Sequence, residues 1–384
     1  MKCTGKQRML NAYRGDFSDT PAVAPEFWYY YPAKVLGVDM IEFQRDVPFH
    51  QALKTTFEKF GCEGWGVAFA GVPNDKVTWQ TEDKWLDDNT LEARHTTRTP
   101  RGVLTSASRI SRDQPAWEIE RPIKDIEVDL PAWELASLGG DPAAMDVAPL
   151  VTAWEEVSDA YLLEAWLGVP FFDFFAGARE GGFEAGIFDF MNPDLEPKLR
   201  ELQDRYIRQL VLATRRICES TPLESLCIGC SWSCNSLIGP VLWREWDKPV
   251  IKAVAEEVRR HGRLLHVHFH GKCMETVSEF AEIGIDCVCP FERPPGGDVH
   301  GLGDLRTVAK LLRGQTTMSG NVHTVETLIR GGEQDVRREV REVLEAFAGN
   351  PRVIVGTGDQ VGRETPEENL FALVDEARKH TRQA

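Results

Sequence analysis

The chain has 384 residues, 42% hydrophobic and 27% charged, a globular balance long enough for one large α/β barrel or two or three small domains. Its 44 Lys and Arg stand against 60 Asp and Glu, a formal charge of -16 that disfavours nucleic acid and anionic membranes as partners. Nine cysteines, an odd number in a chain too large to need disulfide staples, fit a reducing cytoplasm. The opening "MKCTGKQRMLNAYRGDF" lacks the apolar core of a signal peptide, and no run approaches the roughly 18 apolar residues of a membrane span.

In chain order, Gln7 to Arg14 reads as a short helix ended by Gly15. "TPAVAPEFWYYYP" reads as a strand whose aromatic run stops at Pro32, and "GWGVAFAGV", from Gly64, as a second strand. "KVTWQTED", "LEARHTTRTPRG" and "GVLTSASRI" alternate polar and apolar residues around Gly and Pro, predicting antiparallel hairpins near residues 75–125 as an excursion from the main fold. From about residue 148, strands are predicted at "PLVTAW", "ESLCIGCSW", "RLLHVHFH", "GIDCVCPF", "QTTMSGNV" and "RVIVGTGDQ". Helices lie between the last of them. In "EQDVRREVREVLEAF" the residues Val336, Val340, Val343, Leu344 and Phe347 recur at helical spacing. "TPEENLFALVDEARKH" opens on a capping box of Thr365, Pro366 and Glu368, and Pro249 should break or kink the helix in "LWREWDKPVIKAV".

Short, nearly all-apolar strands alternating with helices mean a parallel sheet covered on both faces. About eight of them predict a (β/α)8 TIM barrel, here one domain over residues 1–384. No GxGxxG follows the first strand, which disfavours a dinucleotide-binding sheet.

In such a barrel the chemistry sits at the C-terminal strand ends. Those ends hold Glu26, Trp28 and Tyr29, then Cys230 and Trp232, His268 and His270, Glu292, Asn321 and His323, and Asp359. A single strand histidine is more often a hydrogen-bonded core residue than a ligand. His266, His268 and His270 stand at alternate positions, however, and burying three imidazoles on one face without a function is costly. A metal is expected at this strand, with His266 deeper and structural or supporting, and Asp359 gains weight from its place at the end of the last barrel strand. "CIGCSWSC" has Cys227, Cys230 and Cys234 but no second ligand pair, so these thiols, like Cys287 and Cys289, read as buried core. Turn chemistry in "RPPGGD" and "SGN" also accounts for Glu292 and Asn321.

The succession "CSWSCNSLIGPVLWREWDKPVIKAV", "HVHFHGK", "PFERPPGGDVHGLGDLRTV", "MSGNV" and "VGTGDQVGRETPEENLFALVDEAR" resembles the uroporphyrinogen decarboxylase superfamily, as does the opening "KQRMLNAYRGDFSDTPAVAPEFW". The resemblance implies the same barrel. True decarboxylases carry an arginine-rich "RQAGR"-type stretch after the first strand for the substrate carboxylates; here that place holds "EFWYYYP", an acid and aromatics. The cobalamin-dependent methyltransferase branch binds zinc through a His-x-Cys pair and a later Cys, matched here by His268, His270 and Asp359.

Exchanging two thiolates for an imidazole and a carboxylate leaves zinc more Lewis-acidic, suited to polarising an oxygen or stabilising a departing alkoxide or phenolate. The resemblance therefore implies demethylation of a methoxylated or N-methylated small molecule, with a corrinoid taking the methyl group. Glu26, Trp28, Tyr29, Trp232 and Asn321 would contact substrate, and Glu292 or His323 would handle the leaving-group proton. "DxHxxG" is absent, so the corrinoid is expected free or on a partner protein. Homodimers are common in the superfamily, though no residue here demands one. Three alternatives stay open: a metal-dependent hydrolase or lyase, a decarboxylase, and a non-catalytic barrel binding a tetrapyrrole or corrinoid.

Overall fold

The most apolar runs of the chain become eight parallel strands that curl into one sheet. The computed structural model describes residues 3–380. In chain order, β1 (Ala22–Ala24) and β2 (Trp65–Ala68) precede four strands of a second sheet, β3 (Thr78–Trp85), β4 (Thr90–Thr99), β5 (Gly102–Ser111) and β6 (Trp117–Glu120). Then follow β7 (Leu162–Gly168), β8 (Ser225–Cys230), β9 (Leu264–Phe269), β10 (Cys287–Pro290), β11 (Thr317–Val322) and β12 (Val353–Thr357). The large sheet has the order β1-β12-β11-β10-β9-β8-β7-β2, every neighbouring pair parallel, with helices in the crossovers. This is the predicted TIM-barrel-like architecture. The antiparallel sheet β3-β4-β5-β6 is the predicted hairpin excursion.

Alternation along the strands sorts residues into two packed layers. Tyr13, Trp65, Val67, Leu162, Cys227, Cys287, Cys289 and Ile354 form the inner cluster. Val267, Phe269, Val288, Met318 and Val355 belong to the larger core, which also takes in helical residues such as Val254, Phe280 and Val340. On β9 this split leaves His266 and His268, both buried, on the inner side of the strand.

Among the described residues no ladder joins β1 to β2, the two edges of the large sheet. A side chain spans that gap. Glu63 Oε2 accepts the β1 amide of Val23 at 2.8 Å, while its Oε1 takes Arg8 at 2.9 Å and Arg378 at 2.6 Å.

Some local expectations need correction. "PLVTAW" lies in a helix, Ala148–Val157, whose first turn takes the proline that favours helix starts; the strand of this region is β7. β1 is only three residues long, and Pro32 falls within the first turn of a helix, Tyr30–Leu36. The last helix, Glu367–Arg378, is preceded by Pro366 as N-cap with no side-chain capping bond, so the Thr365 capping box does not form. Pro249 does not break the helical run. It sits in the first turn of Lys248–Arg260, directly after a π-helical turn over Trp243–Asp247. Among the described residues, no helix is long and apolar enough to cross a membrane.

Candidate active site

A cleft of about 330 Å³ opens over the C-terminal ends of the barrel strands. Its floor is His268 and His270 on and after β9, with Gly229 of β8 beside them. Trp28 and Tyr29, which follow β1, Phe69, which follows β2, and Trp166 of β7 form an aromatic wall. Glu26, Ser231, Asp359 and Gln360 supply the polar groups, and among the described residues no Lys or Arg lines the cleft. Gly229 is required at its position, because a side-chain carbon there would collide with the Trp166 ring.

The two cleft imidazoles touch: His268 Nε2 and His270 Nε2 are 2.7 Å apart. His270 Nδ1 is 2.9 Å from Glu292 Oε1, which also accepts the Gly271 amide at 2.8 Å. Donor atoms of His270, Glu292 and Asp359 all lie within 4.8 Å of one another, and so do those of Glu26, His268 and Cys289. Glu26 Oε1 stands 3.6 Å from His268 Nε2 and accepts the Trp28 indole N–H at 2.6 Å. Asp359 Oδ1 accepts the Gln360 amide, and the Asp359 carbonyl accepts the hydroxyl of Thr357.

Acid is crowded here without basic side chains, and the protonation pattern follows. Burial, with the charge of Asp359 adding to it, pushes the Glu26 carboxyl up to about 8. Burial also raises Asp359. Burial alone would lower His270, but its hydrogen bond to Glu292 and the charges of Asp359 and Glu26 outweigh that and raise it to about 9. His268 is held well below the ordinary histidine range by burial and by the neighbouring His270 and His266. At neutral pH one imidazole is therefore cationic and the other neutral. Two neighbouring groups could each take a divalent cation, Glu26, His268 and Cys289 in one and His270, Glu292 and Asp359 in the other; the expected trio of His268, His270 and Asp359 is divided between them.

The cleft thus gathers Glu26, Trp28, Tyr29, His268, His270 and Asp359, with Glu292 bonded behind His270. Three other expected residues are turned to different work. His323 has both ring nitrogens engaged, Nε2 with the Pro294 carbonyl at 2.9 Å and Nδ1 with the amides of Val325 and Glu326, as the cap of a helical turn. Asn321 is fully buried and meets the Val299 carbonyl and Arg293. Trp232 lies outside the cleft lining, under the guanidinium of Arg121 at 5.2 Å. The reading from sequence missed Phe69, Trp166, Ser231 and Gln360 on the wall, and Glu164 beneath it. "YLLEAWLG" carried the signal for two of them, an apolar run with one acid and one tryptophan.

Comparison with known proteins agrees with this architecture. Residues 223–380 match the family model described as uroporphyrinogen decarboxylase (URO-D). A uroporphyrinogen decarboxylase of Thermus thermophilus is 27% identical over 183 residues, 47% of this chain and 46% of that protein. One of Cupriavidus metallidurans is 32% identical over 93 residues, 23% of this chain and 25% of that protein. The matched stretch spans about half or less of the length of these relatives. A solved methyltransferase from Methanosarcina mazei aligns over 98% of this chain and 99% of its own, with a TM-score of 0.62 at 17% identity, a likeness of fold. The chain therefore resembles uroporphyrinogen decarboxylases in sequence through its C-terminal part, and shares its fold with a solved methyltransferase.

Proposed function

We propose that the protein is a metal-dependent methyltransferase, moving a methyl group from a methoxylated or N-methylated small molecule to a corrinoid co-substrate. The observation that carries this reading is the pair of imidazoles at 2.7 Å, set among carboxylates under an aromatic wall. A polycarboxylated porphyrinogen would find no lysine or arginine among the described residues of this lining and several carboxylates in it, which favours methyl transfer over decarboxylation. An apolar or aryl methyl ether is the better match for Trp28, Tyr29, Phe69 and Trp166.

His268, His270 and Asp359 would hold zinc. When bound, such an ion polarises the heteroatom that carries the methyl group and stabilises charge on the departing group. The chain's own residues do the rest. Glu292 anchors His270 through Nδ1, and the aromatic wall orients the substrate and excludes water. Glu26 faces the cleft, and burial favours its protonated form, so it would give the leaving group its proton. The corrinoid would arrive free or on a partner protein, and the chain would work as one barrel domain in the cytoplasm.

Elemental analysis tests the metal: near-stoichiometric zinc is expected in the parent and should be lost in His268→Ala, His270→Ala and Asp359→Ala. Metal-loaded protein is then incubated with a reduced corrinoid and a panel of methyl ethers and N-methyl amines. Methylation of the corrinoid, read from its absorbance, is the expected result. A silent panel counts against methyl transfer, and turnover without corrinoid would move the assignment to a hydrolase or lyase.

A further inference from the structure

Three residues of the aromatic wall line two cavities. Trp28, Tyr29 and Phe69 border the cleft and also a smaller hollow of about 150 Å³ beside it. The far side of this annex is built by Phe43 and Gln44 of the helix Met40–Asp46, by Val47 that ends it, and by Phe49 that opens the helix Phe49–Phe60. Among the described residues no charged side chain lines the annex, and the chemistry above does not use it.

The annex has the shape and surface for a flat apolar group. Phe49 stacks on Trp28 with centroids 5.7 Å apart and 16° between the planes, and meets Phe43 edge-on at 6.4 Å. An apolar cavity of about this volume takes one benzene-sized ring. The hairpin sheet braces the far wall. The Met40 amide donates to the Arg112 carbonyl at 2.9 Å, Gln44 Oε1 accepts the Ala116 amide at 3.0 Å, and Ile41 packs on Leu91 and Ile110. The excursion from the barrel therefore supplies a preformed wall, which lowers the ordering cost of binding. Phe69, on the boundary of the two cavities, is 56% exposed. A ligand reaching from one cavity into the other would take that ring out of water.

We propose that the annex is a tail subsite of the cleft: the methyl-bearing head of the substrate lies by His268 and His270, and an uncharged aromatic ring, joined to that head by a short tether, occupies the annex. The substrate class is then a methyl ether or N-methyl amine with a second ring, and Phe43, Val47 and Phe49 set its length. The identity of the head rests on the function proposed above; the annex as a ring site does not need methyl transfer.

Two ligands separate the cavities: 4-ethylanisole, and 4-methoxybibenzyl, which adds one phenyl ring to the same ethyl group. Equilibrium dialysis of the full-length protein, without corrinoid, measures both affinities. The parent should prefer the two-ring ligand by about tenfold or more, the worth of burying the added ring. Val47→Trp fills the annex and should abolish that preference, whereas Val47→Ala leaves the annex open and should keep it. Val47→Phe should reduce the preference in part, and serves if Val47→Trp does not fold. A preference that survives both filling variants, or that Val47→Ala removes as well, would overturn the tail subsite and leave the methyl-ether reading of the cleft standing. The expected preferences with no methylation of a corrinoid from either ligand would remove methyl transfer and support the annex as a ring site. If neither ligand binds, the subsite and the substrate reading fall together.

Discussion

At the scale of single residues, buried acids away from the cleft give the sharpest pH prediction. Asp247 is fully buried at the end of the π-helical turn, where Oδ1 accepts the Phe172 amide at 2.8 Å. Burial, opposed by that hydrogen bond and reinforced by the charge of Asp173, pushes its carboxyl from 3.8 up to about 8. The folded protein then holds a proton that the unfolded chain has released, so this group's contribution is fully present below the unfolded value and is lost as pH rises toward about 8. Asn mimics the protonated acid at every pH. Asp247→Asn should therefore gain stability relative to the parent between about pH 5 and about pH 8.5, which urea unfolding at the two pH values measures. An unchanged difference between the two proteins would show that Asp247 is ionised in the fold. The same scale shows what a sequence can hold. Alternation marked His268 and His270, and strand ends marked Glu26, Trp28, Tyr29 and Asp359. Glu164 escaped because its meaning lies in a partner 102 positions away, and Cys289 because one buried thiol looks like any other.

At the scale of elements, the strands with pure apolar runs and clear punctuation were legible: β8, β9, β10, β11 and β12 fall where the sequence places them. The failure at "PLVTAW" is instructive. Six apolar-rich residues carry no usable period, and the proline that reads as punctuation is instead the start of a helix. The true strand β7 hid an acid inside its run, which weakens the signal in the one strand where the acid faces His266. His323 and Asn321 misled for a related reason: a residue can stand at a strand end while its side chain caps the next turn or packs below the rim. The contact between β1 and Glu63 yields a prediction at this scale. Glu63→Ala would leave the Val23 amide unmatched and deprive Arg8, itself buried, of a carboxylate partner. Arg8 keeps its pair with Asp19, so the cost is mainly that of the buried amide left unsatisfied, about 1–3 kcal/mol. A urea midpoint unchanged by Glu63→Ala would refute that role.

At the scale of the whole molecule, the barrel was readable because its rule is global: apolar strands, each followed by a helix, admit few other closures. The second sheet was readable as an excursion because its polar alternation breaks that rhythm, and β3 is exposed along its entire length. The acid-rich composition says little about the fold, yet the same bias recurs in miniature at the cleft, where three carboxylates stand near two imidazoles with no lysine or arginine among the described residues of the lining. One property of the ring has a mechanical meaning. Among the described residues seven of its eight junctions are strand ladders, while the eighth is held by side chains, the Glu63 carboxylate and the Trp28–Trp65 ring contact among them. A hoop loaded from inside yields first at such a joint. The aromatic wall leaves the ring from both sides of that joint, Trp28 and Tyr29 from one and Phe69 from the other, so an entering ligand can spread the wall apart without breaking a ladder. Deuterium should accordingly reach the amides of Ala22–Ala24 and Trp65–Ala68 before those of β8 and β9, and a ligand seated in the cleft should slow exchange at the joint most.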